Sequence, residues 1–300
     1  MTVSYLELGE ERLTDRVRRA WERLRECRLC PRDCGVNRRR GDLGYCRTGY
    51  RAPVASYGPH PGEEAPLRGT RGSGTIFFCG CNLRCVYCQN YDTSQYSVGR
   101  EQSLRDLGKM MLSLQRRGCH NVNLVSPSHV IPQILGAVAW ASRRGLDLPL
   151  VYNTGGYDSP EALELLDGVV DIYMPDMKYQ DPDVAERLSA ARDYPEVNRK
   201  AVAEMHRQVG DLTCDERGIA VRGLMIRHLI LPEGNAGTKE VMEFLAEEIS
   251  PDTFVNLMDQ YYPAHRAGDH PPLNRQPRRD EVASATRIAE EAGIQRVYRR

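Results

Sequence analysis

Lysine is nearly missing from this chain. Of its 41 basic residues four are lysine (Lys109, Lys178, Lys200, Lys239) and the other 37 are arginine. GC-rich coding accounts for that usage as readily as growth at high temperature, so it assigns no function. A net charge is missing too: 41 acidic residues balance the 41 basic ones. With no global basic field, nucleic acids and anionic membranes are not expected partners. No apolar run approaches the roughly 18 residues of a membrane helix. The opening stretch Met1–Glu11 is acidic and has no signal-peptide core, so a cytoplasmic location is expected. What is present is ordinary for a soluble enzyme, with 300 residues, 41% apolar and 27% charged. That length suffices for one α/β barrel or two small domains.

Cysteine is plentiful, and its placement is informative. The ten cysteines fall mostly in tight groups, which argues for metal ligation in a reducing compartment rather than for disulfides. Cys81, Cys85 and Cys88 form a C-x3-C-x2-C group, with Tyr87 before the last thiol. Three thiolates on one loop can hold three irons of a [4Fe–4S] cluster and leave the fourth iron open. An open site on a metal usually signals chemistry rather than structure. A zinc loop is the competing reading. Cys79 stands two residues earlier, either as a fourth ligand that closes the cluster or as a small buried residue at a strand end. A second group, Cys27-x2-Cys30-x3-Cys34-x11-Cys46, is a metal signal in its own right, for structural zinc or for another iron–sulfur cluster.

Around these groups the apolar pattern alternates. Residues 10–26 carry Leu13, Val17, Ala20, Trp21 and Leu24 at helical spacing. Residues 51–72, with Pro53, Pro59, Pro61 and Pro66, read as an extended connection. Short strands are expected at 75–78, 121–125, 148–152, 169–174, 224–231 and 254–258, with a closing strand at 295–298. Helices are expected at 104–117, 130–144, 159–166, 182–209, 237–248 and 280–293. About six βα repeats give a parallel sheet, in which ligands bind at the C-terminal strand ends. The expected division is 1–50, an N-terminal helix and Cys-rich metal-binding extension; 51–73, an extended connector; and 74–300, the core.

The stretch Gly72–Tyr91, GSGTIFFCGCNLRCVYCQNY, resembles the radical S-adenosylmethionine (SAM) superfamily. Within it the resemblance is to pyruvate formate-lyase activating enzymes and the PflX-like iron–sulfur proteins. It extends over about residues 25–300. It implies an α/β fold, a partial (β/α)6 TIM-like barrel with a Cys-rich N-terminal extension. It also implies a [4Fe–4S] cluster on Cys81, Cys85 and Cys88, with SAM chelated to the open iron. One electron then cleaves SAM to a 5′-deoxyadenosyl radical that abstracts hydrogen from a substrate. By analogy the substrate could be a glycine of a partner protein, a peptide or a small metabolite, and the electron donor a flavodoxin or ferredoxin. The resemblance places SAM contacts at Tyr87, Ser126, Ser128, Asn153, Asp176, Lys178 and His265. Asp176-Met-Lys178 is similar to the Asp-x-Lys of activating enzymes. Ser126-Pro-Ser-His129 stands where many members carry Gly-Gly-Glu-Pro, which removes a carboxylate. The segment Cys-Pro-Arg-Asp-Cys-Gly at 30–35 resembles the N-terminal extension of the AmmeMemoRadiSam group; pyruvate formate-lyase activating enzyme itself lacks it.

Other residues have two readings each. Arg227 and His228 interrupt an apolar strand; one should face the barrel interior, or Arg227 should pair with an internal acid such as Asp176. Gln260, Tyr261 and Tyr262 are candidates for substrate contact. His60, Glu63 and Glu64 read as connector surface in preference to a cover over the site. Cys119 reads as core packing, and Cys214 carries no role. A non-catalytic electron carrier, with Cys79 closing its cluster, is the second functional class. A zinc-dependent nucleic-acid binder is the third, disfavoured by net neutrality.

Overall fold

Val122–Val125 and Leu150–Thr154 are buried along almost their whole length, as strands covered on both faces must be. In the computed structural model, which describes residues 2–96 and 98–299, they are the middle of a mostly parallel sheet. The chain opens with α1 (Ser4–Leu8) and α2 (Glu10–Glu22), followed by a Cys-rich arm, β1 (Ala52–His60), α3 (Ala65–Arg68) and β2 (Ser73–Phe78). A short α4 (Tyr91–Ser94) and β3 (Arg100–Gln102) come next. Regular alternation then sets in: α5 (Leu104–Arg116), β4 (Val122–Val125), α6 (Ile131–Ser142), β5 (Leu150–Thr154), α7 (Pro160–Leu163) and β6 (Ile172–Pro175). Two helices, α8 (Pro182–Ser189) and α9 (Tyr194–Val209), precede β7 (Thr213–Cys214) and β8 (Ala220–Leu229). The chain closes with α10 (Thr238–Phe244), β9 (Phe254–Met258), α11 (Arg279–Glu291) and β10 (Arg296–Tyr298).

The strand order is β10-β9-β8-β6-β5-β4-β2-β1-β3, with β7 hairpinned onto β8. From β2 to β10 every pairing along that path is parallel. This is an open (β/α)6-type barrel with a seventh parallel strand, in agreement with the expected fold class. The register aligns an interior row in two runs that are offset by two residues across β6: Phe77 beside Val125 and Val125 beside Asn153, then Arg227 beside Asn256 and Asn256 beside Tyr298. Val151, Ile172, Met174 and Met225 pack with Leu67 of α3 and plug the barrel floor. Ile134, Leu135 and Val138 of α6 and Leu107, Met111 and Leu114 of α5 join the larger core outside the sheet.

Three expectations need correction. The connector is not a loose wrap: β1 pairs antiparallel with β2 and β3 and widens the sheet. Its prolines hid it, because Pro suits only edge-like or irregular strands. The helix at 182–209 is two helices, broken where Ala190 adopts a left-handed φ of 47°. The helix at the start ends at Glu22, and it belongs to the barrel rather than to a separate extension. The Ser4 amide donates to Asp171 Oδ1 at 2.8 Å and the Tyr5 hydroxyl to the Leu148 carbonyl at 3.0 Å. Only residues 23–51 stand as a distinct Cys-rich arm.

Candidate active site

A cavity of about 380 Å3 lies at the C-terminal strand ends. Phe77, Val125, Asn153, Arg227, Asn256 and Tyr298 of the interior row all line it, and Cys81, Cys85 and Cys88 form part of its wall. The turn that carries them begins at Gly80, whose φ is +83° and where a Cβ would stand 2.5 Å from the Cys46 carbonyl. Each sulfur has a polar neighbour. The Leu83 amide donates to Cys81 Sγ at 3.3 Å, the Ser189 hydroxyl donates to Cys85 Sγ at 3.0 Å, and Cys88 Sγ lies 3.3 Å from Ser94 Oγ. Burial, with Cys85 nearby, raises the Cys81 thiol and pushes Cys88 up to about 11. A cation must therefore displace their protons, as metal binding does. Cys79 is fully buried outside this cavity, its sulfur against Gly99. Three thiols, not four, face the space, and the chemistry of that donor set fits a cluster with an open iron. Among the described residues no three His, Cys, Asp or Glu side chains already converge on a single ion.

Asp176 and Lys178 also line the cavity, with Lys178 Nζ 2.5 Å from Asp176 Oδ2. Burial works against the lysine's charge, but Asp176 beside it holds its pKa well above the usual value. The loop behind them is fixed by two α9 residues that the sequence reading did not single out. The Tyr194 hydroxyl bonds the carbonyls of Gly155 and Asp176 at 2.9 and 3.0 Å, and Asn198 Nδ2 donates to those of Gly156 and Asp176 at 2.9 and 3.0 Å. Asn153 and Ser126 line the same cavity, and Ser126 adopts a φ of 59°.

Of the remaining predicted SAM contacts, Tyr87 reaches the cavity and Ser128 and His265 do not. Ser128 is buried behind the wall, 3.0 Å from Thr154 Oγ1, which donates to Asp158 at 2.6 Å. His129 is spent on the backbone, its Nε2 2.8 Å from the Cys79 carbonyl. Tyr87 lines the cavity, but its hydroxyl is already bonded to that of Tyr179 at 2.7 Å. His265 stacks on Tyr91 with ring centroids 5.0 Å apart, outside the cavity lining. Among the substrate candidates Gln260 lines the cavity, Tyr261 is buried with its hydroxyl on the Leu273 carbonyl, and Tyr262 is exposed.

The carboxylates taken for connector surface are the opposite. Glu63 and Glu64 are buried and line the cavity. Arg227 donates to Glu64 at 2.7 Å through both Nε and Nη2, and Nη2 also donates to Glu63. Its acidic partners are thus Glu63 and Glu64, while Asp176 pairs with Lys178. Burial opposes charge on Glu64, yet Arg227 and Asn256 hold it down at about 2; burial raises Glu63. His228 points the other way, buried between the Met177 carbonyl at 2.8 Å and Thr238 Oγ1 at 2.9 Å. A Pro-rich stretch with paired acids three residues past a histidine held the only signal for this wall.

The second cysteine group also comes together. Cys27, Cys30, Cys34 and Cys46 line one small void beside the cluster loop. Cys119 is core, and Cys214 is exposed on β7. No helix among the described residues is long and apolar enough to cross a membrane.

Two uncharacterized proteins of Methanocaldococcus jannaschii resemble the chain. One is 30% identical over 283 residues, covering 92% of this chain and 77% of its own length. The other is 23% identical over 295 residues, covering 91% and 80%. The family model described as Radical SAM superfamily matches residues 75–245. Members of that family are SAM-cleaving radical enzymes with a [4Fe–4S] cluster. Because the match spans more than half of the chain and starts on the strand that feeds the three-cysteine loop, this protein belongs to the radical SAM superfamily.

Proposed function

We propose that Cys81, Cys85 and Cys88 hold the cluster, that Asp176, Lys178, Asn153 and Ser126 hold SAM, and that a substrate enters the same cavity for hydrogen abstraction. When bound, cluster and SAM supply a 5′-deoxyadenosyl radical by one-electron cleavage. The observation that carries this reading is the common cavity of the three thiols and the Asp176–Lys178 pair. Lys178 offers an ammonium to a carboxylate, and Asp176 and Asn153 offer oxygens to an amino or hydroxyl group. Tyr194 and Asn198 keep that loop from moving as SAM binds. Phe77, Leu83 and Tyr87 cover the reacting space and keep out solvent that would quench a radical.

At about 380 Å3 the cavity is at the small end of ligand sites, which span about 300–1,000 Å3. The resemblance to activating enzymes supplies the substrate reading, a glycine of a partner protein, with another peptide or a small metabolite as the alternatives. A flavodoxin- or ferredoxin-type protein is the proposed electron donor. The test is anaerobic reconstitution, reduction with dithionite in the presence of SAM, and mass-spectrometric quantification of 5′-deoxyadenosine. The intact protein is expected to form it and Cys85→Ala is not. A fully loaded protein whose electron paramagnetic resonance (EPR) signal ignores SAM would refute the proposal and favour an electron carrier.

A further inference from the structure

Arg38 is the largest of the fully buried side chains, 1% exposed. Its guanidinium donates to the Gly49 carbonyl at 3.1 and 2.9 Å and to the His129 carbonyl at 2.7 Å, and Nη1 lies 3.7 Å from Cys27 Sγ. Among the described residues no carboxylate pairs with it. A buried cation without an anion costs several kcal/mol, so the anion must come from the neighbouring sulfurs. Cys27, Cys30, Cys34 and Cys46 surround one void with Arg38 on its wall. Backbone closes round them: the Tyr45 amide points at Cys34 Sγ at 3.4 Å, and a Cβ on Gly44 would stand 2.9 Å from that sulfur. All four cysteines are free.

Four thiolates can close a tetrahedral zinc site or complete an iron–sulfur cluster with no open iron. Either centre carries negative charge for Arg38 to balance and leaves no coordination position for SAM.

The same arm grips the catalytic loop. Arg32, between Cys30 and Cys34, donates from Nε to the Asn82 carbonyl at 2.7 Å and from Nη2 to the Ser189 carbonyl at 3.0 Å. Its guanidinium lies 4.0 Å over the Tyr45 ring, whose hydroxyl donates to the Leu83 carbonyl at 3.3 Å. Asn82 and Leu83 lie between Cys81 and Cys85. We propose that Cys27, Cys30, Cys34 and Cys46 hold a closed, four-thiolate metal centre, with Arg38 as its buried counter-charge, and that this centre fixes the arm that positions the catalytic cysteines. The inference rests on the arm's own geometry and holds whatever substrate the barrel takes.

The test uses the full chain, reconstituted anaerobically with iron and sulfide. The triple variant Cys81→Ala/Cys85→Ala/Cys88→Ala is expected to retain a metal, either zinc or iron with an equal amount of sulfide, and SAM should change no EPR signal of it. Further substitution of Cys30→Ser and Cys34→Ser should remove that metal. Absence of both zinc and iron from the triple variant overturns the site. Arg32→Ala, which removes no ligand, should keep the triple variant's metal when combined with it. In the otherwise native chain it should lower the SAM-responsive EPR signal severalfold. An unchanged signal overturns the positioning role. Far-UV circular dichroism matching the native chain separates these outcomes from misfolding.

Discussion

Replacing Arg227 by methionine would leave Glu63 and Glu64, 6% and 3% exposed as side chains, facing each other inside the barrel with no cation between them. Removing one partner of a buried pair costs about 3–5 kcal/mol. The structure offers one escape, since Glu64 can take up a proton. At pH 7 that costs a free glutamate about 1.36 × (7 − 4.3), or roughly 3.7 kcal/mol, and this is the part of the loss that a lower pH removes. Asn256, which donates to Glu64 at 2.7 Å, keeps some of the charged form. Glu63 is already raised by burial and adds less. A loss of about 3–4 kcal/mol corresponds to a Tm lower by on the order of 6–10 °C for a chain of this size. At pH 5 the protonation cost falls to about 1 kcal/mol, so the gap between Arg227→Met and the native protein should narrow by several degrees. Native Glu64, held near 2, keeps its contribution at both pH values, because it is lost only as pH falls from the unfolded value toward 2. Thermal melts under argon at pH 7 and pH 5 read both numbers. A gap below about 2 °C at pH 7, or one that does not narrow at pH 5, would show that the pair is not a buried charge cluster.

Lys178→Met should weaken SAM binding about 10- to 100-fold, the worth of a charged hydrogen bond of about 1.5–3 kcal/mol, read by titrating the SAM-induced EPR change at the loaded cluster. Gly156→Ala forces a side chain onto a φ of +75° with its Cβ 2.2 Å from the Asp176 carbonyl and 2.3 Å from Asn198 Nδ2. It should cost more than about 2 kcal/mol and lower Tm by several degrees. His129 and His228 are both depressed to about 4, chiefly by burial. Their native pKa lies below the unfolded value, so the unfolded chain binds more protons between about pH 6.5 and 4, and stability is lost as pH falls through that window. The loss is at most about 3 kcal/mol per histidine. In melts from pH 7 to pH 4.5, His228→Asn should show a shallower decline than the native chain.

The barrel was legible because its strands are short, mostly apolar and separated by amphipathic helices, a pattern that depends on local sequence alone. The three-cysteine loop was legible for the same reason: Cys81, Cys85 and Cys88 lie within eight residues. What failed depended on distance. Ser128 and His265 sit at the strand ends that the family pattern indicates, but one hydroxyl turns to Thr154 and the other ring to Tyr91. Glu63 and Glu64 carry no periodic signal, and their role follows from Arg227, more than 160 residues away. Tyr194 and Asn198 read as ordinary helix residues until α9 is laid under the Asp176 loop. Cys79 could be decided only by the direction of its side chain.

The grip of the N-terminal arm on the barrel spans a long stretch of synthesis. Arg32 leaves the ribosome 157 residues ahead of its partner Ser189. At about 5–20 residues per second that interval lasts on the order of 10–30 s. Through it the four arm thiols and then the three loop thiols exist without the walls that later enclose them. In air this is the period in which they are most open to oxidation. Slow translation before Ala190 would lengthen that exposure without altering a single contact in the finished fold.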